Sequence, residues 1–111
     1  MKYAVISSLS FKTDAQRDGL SNELKPKIAN KPTWGEVGLS SDIDIDGKPH
    51  LSLSIRYDEK PDMADLFDAI KQKISLIPVL KGSVSSHICG HDEQPYDCRN
   101  DPRAEYQEFV K

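Results

Sequence analysis

Cysteine is scarce in this 111-residue chain, with only two, and glycine contributes six residues and tryptophan one. Two thiols are too few for a disulfide framework. The glycines form no phosphate-cradling loop: after the first apolar segment comes Ser10-Phe11-Lys12-Thr13-Asp14, with neither the glycine nor the arginine that a phosphatase cradle of this kind needs. Aromatic residues make up 7%, and few fall where unstacked bases could lie on them. Long apolar runs are missing as well. The N-terminal run Tyr3-Ala4-Val5-Ile6 stops at Ser7-Ser8, too short for a signal peptide or a membrane span, so the expected location is the cytoplasm, with no membrane role.

Charge is plentiful but balanced, 15 basic against 18 acidic residues and a formal net charge of −3. Such a surface repels phosphate backbones, and the small basic group Lys25, Lys27 and Lys31 reads as a helix C-terminus matched to its dipole, so no nucleic-acid partner is expected. The apolar share, 37%, is that of a folded domain.

Periodicity gives the elements. Tyr3, Val5, Leu9 and Phe11 alternate, predicting a strand over 2–11. Thr13 and Gln16 form a capping-box pattern that opens a helix near Asp14, and Pro26 sets its expected end close to Lys25. Val37, Leu39, Ile43 and Ile45 predict a second strand, and Asp46-Gly47-Lys48-Pro49 turns the chain into a third through Leu51, Leu53, Ile55 and Tyr57. Pro61-Asp62 opens a second helix with the stripe Met63, Leu66, Phe67, Ile70 and Ile74, which Pro78 ends. Gly82 to Cys89 reads as a last strand, and Asp101-Pro102 as the start of a short C-terminal helix through Tyr106 and Phe109.

The order βαββαβ defines a ferredoxin-like α+β domain over residues 1–92: a four-stranded antiparallel sheet with two helices on one face. Residues 93–111 add a turn and the short helix. The helix-covered face takes Val5, Leu9, Val37, Leu39, Ile43, Leu51, Leu53, Ile55, Val84 and Ile88. The other face carries Ser8, Ser10, Ser40, Ser52, Ser54, Ser83 and Ser85, with Asp42, Asp44 and Arg56 beyond them, around Ala4 and Ile6. Of these, Ser8, Ser10, Ser52, Ser54 and Arg56 are the candidate interaction face, for a second copy of the chain or another protein.

Asp42-Ile43-Asp44-Ile45-Asp46-Gly47 has the opening of a calcium loop, but the twelfth position is Leu53 where a glutamate is required, and the isoleucines continue a strand. Magnesium-dependent domains of the same outline place an acid on the first strand, and residues 2–11 contain none. No Ser-His-acid arrangement is readable from sequence alone. The densest set of ligating side chains is His87, Cys89, His91 and Cys98, which zinc accepts. Residues four apart on a straight strand stand roughly 13 Å apart, so a site from Cys89, His91 and Cys98 is the easier arrangement. Ordinary packed or surface roles for the four, and a Cys89–Cys98 disulfide, stand beside it. Trp34 reads as a cap on the core at the sheet's edge, or as an anchor for a partner. With no catalytic constellation and no cofactor expected, the sequence points to a non-enzymatic, self-associating protein-interaction domain, and alternatively to a zinc-binding protein.

Overall fold

The computed structural model describes residues 2–28, 38–89 and 105–110. Along the chain these form β1 (Lys2–Phe11), α1 (Asp14–Ile28), β2 (Gly38–Ile43), β3 (Pro49–Tyr57), α2 (Lys60–Leu76), β4 (Val79–Cys89) and β5 (Glu105–Val110). The first six are the ferredoxin-like βαββαβ unit, and the sheet runs in the order β2-β3-β1-β4-β5 with every neighbouring pair antiparallel.

The expected C-terminal helix is corrected: residues 105–110 are a fifth strand, which pairs with β4 from Lys81↔Val110 to Ser86↔Glu105. Six residues after Asp-Pro earn little as an isolated helix, because nucleation fixes a whole turn for one hydrogen bond. The unpaired edge of β4 offers ladder bonds to the same backbone.

Local signals explain the helices. At the start of α1, the Gln16 amide N–H donates to Thr13 Oγ1 at 3.2 Å and the Thr13 N–H to Gln16 Oε1 at 3.3 Å, the capping box read from sequence. Pro26 does not end α1, which continues to Ile28. Proline there removes one bond in the last turn, and burial of Leu24 and Ile28 against the sheet outweighs it. Helix α2 runs from Lys60, with Pro61 in its first turn, and buries Met63, Leu66, Phe67, Ile70 and Ile74.

Those helix stripes meet Val5, Leu9, Phe11, Leu51, Leu53, Ile55, Tyr57, Val79 and Val84 in one core, with Leu39 half-buried at its margin. Ile43 departs from expectation, standing 66% exposed, and Ile45 at the turn is 96% exposed. The β2–β3 hairpin reaches past the layer that the helices cover. Val37 and Trp34 lie outside the described residues, and Ile88 is placed in β4 opposite Tyr3.

Strand β4 carries one more residue than β1 across a bulge, since Ser10 opposes Lys81 while Phe11 opposes Val79. Two residues after the unpaired Leu80, Gly82 adopts φ of 141°, and a Cβ there would lie 2.1 Å from the Ser8 carbonyl oxygen. Only glycine lets β4 approach β1 this closely.

Candidate active site on the open sheet face

Side chains on the face away from the helices fall into cross-strand rows fixed by the register. One row is Gly38, Ser54 and Ile6 on β2, β3 and β1; the next is Ser40, Ser52 and Ser8; the third is Asp42, His50 and Ser10. The first two rows line a concavity of about 330 Å³, built mainly by Ile6, Ser8, Gly38, Ser40, Ser52 and Ser54. Small side chains explain the hollow, since serine and glycine leave unfilled the space that larger residues would take.

The third row supplies the chemistry. Asp42 Oδ1 lies 2.8 Å from His50 Nδ1, and His50 Nε2 lies 2.7 Å from Ser8 Oγ. A carboxylate only accepts hydrogen bonds, so Nδ1 carries the hydrogen, and in the neutral ring Nε2 is left as an acceptor for the Ser8 hydroxyl. Asp42 thereby sets the tautomer and His50 draws on the Ser8 proton. Both distances fall within the reach required of a nucleophile, its base and the group that orients the base. The His50 side chain is 17% exposed against 52% for Asp42, so the imidazole is sheltered while its orienting carboxylate meets water. Ser52 Oγ stands 3.4 Å from the same Nδ1. Against a protonated Nδ1 it can only accept, which leaves its own O–H to donate into the concavity.

The β2–β3 turn holds this arrangement in place. Asp44 Oδ1 accepts the backbone N–H groups of Asp46 and Lys48, each at 2.9 Å, and Asp44 Oδ2 accepts the Ser10 hydroxyl at 2.6 Å. These bonds, the Ser10 one foremost, hold the Asp44 carboxyl below its ordinary value. Lys81 Nζ donates to Asp46 Oδ2 at 3.0 Å, linking the turn to β4, and that bond raises the lysine above its ordinary value. Arg17 Nη1 reaches from α1 to the Asp42 carbonyl oxygen at 2.7 Å.

The residues expected from sequence are thus distributed unevenly. Ser8, Ser52 and Ser54 come together in the concavity. Ser10 is buried and engaged by Asp44, and Arg56 sits opposite Ala4 beyond the concavity. His87 and Cys89 are placed on β4, opposite Ala4 and Lys2. His91 and Cys98 lie outside the described residues, as does Tyr96. Among the described residues no group of three or more His, Cys, Asp or Glu side chains could hold a metal ion, and no helix is long and apolar enough to cross a membrane.

His50 was missed as a site residue. It lies at even parity with Ser52, Ser54 and Arg56, one step before the expected start of β3, and the Asp-Gly turn implies its pairing with Asp42.

No protein-family model matches the chain, and no curated protein matches it. Solved structures share its outline, two crystal structures among them. One, described as a "putative antibiotic biosynthesis monooxygenase" from Deinococcus radiodurans, has a TM-score of 0.49 at 14% identity and covers 87% of this chain and 100% of that one. The other, described in the same words and from Chloroflexus aurantiacus, has a TM-score of 0.45 at 15% identity, covering 82% and 97%. This likeness is one of chain outline and carries no residue assignments. The expectation of a non-enzymatic interaction domain is corrected here: the Ser-His-acid arrangement that could not be read from sequence stands on the sheet face away from the helices.

Proposed function

We propose that the chain is an enzyme acting on a small, uncharged polar molecule bound in the open-face concavity, with His50 as general base working through the Ser8 hydroxyl. The carrying observation is the aligned Asp42–His50–Ser8 chain, whose last member lines the concavity. Ser8 is the junction: it touches both the base and the space where a substrate fits. Among the described residues none that lines that space is charged, which favours a neutral ligand held by hydroxyl groups. Asp42 contributes by holding one tautomer and by balancing the imidazolium that forms when a proton arrives. The names of the two structural neighbours lie within the same broad class of small-molecule enzymes; the reading rests on His50 and not on them.

A carbon acid whose proton loss is visible, such as 5-nitrobenzisoxazole, tests this reading. Wild-type protein is expected to accelerate its ring opening, and His50→Gln to lose that acceleration by about 10²-fold, the usual worth of a positioned base. Asp42→Asn is expected to lose part of it, because the asparagine carbonyl can still accept from Nδ1 while its amide can instead donate there and favour the unproductive tautomer. Equal rates for wild type and His50→Gln, both folded by circular dichroism, would overturn the assignment.

A further inference from the structure

We infer that Ser8 is the nucleophile of an acyl transfer, and that the substrates are short, uncharged acyl esters or thioesters with weakly basic leaving groups. This rests on the reading of His50 as the base. Three features carry it beyond proton transfer.

First, the Ser8 oxygen is the atom that meets both the base and the concavity, and the 2.7 Å contact to Nε2 is the geometry of an activated hydroxyl. Second, Ser52 sits directly opposite Ser8 across the β1–β3 ladder, with its O–H available to a carbonyl oxygen. Side-chain hydroxyls can serve as oxyanion donors. Third, Ile6 is the apolar side chain beside Ser8 on this face of β1, and the hollow is small, so the acyl group it accommodates is short.

The leaving group follows from what β1 withholds. This central strand is paired on both sides, so its N–H groups belong to the ladders and none is spared for an oxyanion. Stabilisation then comes from hydroxyl dipoles alone, less than a pair of backbone amides provides. Esters of phenols, and thioesters, need less help than alkyl esters or amides.

In the first step Ser8 Oγ adds to the carbonyl carbon as its proton passes to His50 Nε2, and Ser52 donates to the resulting oxyanion. The carbon–oxygen or carbon–sulfur bond then breaks, and the leaving group takes the proton from Nε2. A water molecule repeats the addition, giving its proton to Nε2; collapse releases the carboxylic acid and returns that proton to Ser8.

The test uses p-nitrophenyl acetate, with quenched samples read by peptide mass spectrometry. One acetyl group is expected on the peptide containing Ser8, with rapid release of p-nitrophenol. Labelling is expected to vanish in Ser8→Ala, to slow by about 10²-fold in His50→Gln, and to slow by at least about 10-fold in Ser52→Ala. Thermal melts confirm that each variant folds, and Ser8→Cys, which keeps a nucleophile in place, is expected to be labelled on the thiol. Acetyl found only on other residues, or Ser8 labelled equally in wild type and His50→Gln, overturns the nucleophile. If 5-nitrobenzisoxazole turnover still depends on His50 in that case, the base assignment stands; if neither probe depends on His50, both fall.

Discussion

Two titrating side chains set limits on the pH range over which this fold is most stable. Tyr57 is buried in the core, and burial, with Asp62 and Asp65 nearby, pushes its hydroxyl from 10.0 up to about 12. Between those values the unfolded chain has lost a proton that the folded one keeps, so stability falls as pH rises from 10.0 towards about 12. Asp44 acts in the opposite sense. Its carboxyl is held below the ordinary 3.8 by Ser10 and the turn amides, so its stabilising contribution is present above that value and is lost as pH falls through the lower folded one. Urea midpoints measured across pH are expected to drop at both ends. Tyr57→Phe should flatten the alkaline limb and Ser10→Ala should weaken the acid one.

At the scale of elements, Gly82 and Thr13 make contrasting demands. Gly82→Ala places a methyl group against the Ser8 carbonyl at a backbone angle that side chains rarely adopt, so β4 must move off β1 or β1 must distort. A loss of about 1–3 kcal/mol from backbone strain is expected in denaturant unfolding, along with reduced activity, because Ser8 sits at the point of contact. Thr13→Ala removes the capping hydroxyl of α1 and is expected to cost about 1 kcal/mol. The elements themselves were largely legible in the amino-acid pattern, because β1, β3 and α2 each present one clean period to one layer. The exceptions have specific causes. The stripe of α1 is held past Pro26 by tertiary burial of Ile28, which local rules do not weigh. Glu105–Val110 takes the geometry of the edge it meets, and no property of those six residues announces that edge. The same holds for the site: Ser8, Ser52 and Asp42 were visible as outward polar positions, but their joining through His50 depends on cross-strand register, which a strand boundary drawn one residue short conceals.

For the whole molecule, β5 matters because it covers the edge of β4 that would otherwise be open. Deleting residues 105–111 is expected to expose that edge and produce concentration-dependent association in sedimentation, as unpaired strands recruit one another. The site is also a property of the entire sheet. Its three residues stand on three neighbouring strands, with Ser8 and His50 separated by 42 positions. The base and hydroxyl therefore come together only once β1 has paired with β3 across a long loop, a non-local step that is slow when chains build sheets from distant segments. Reactivity at Ser8 would then serve as a clock for that one step of folding, switching on when β1 docks against β3.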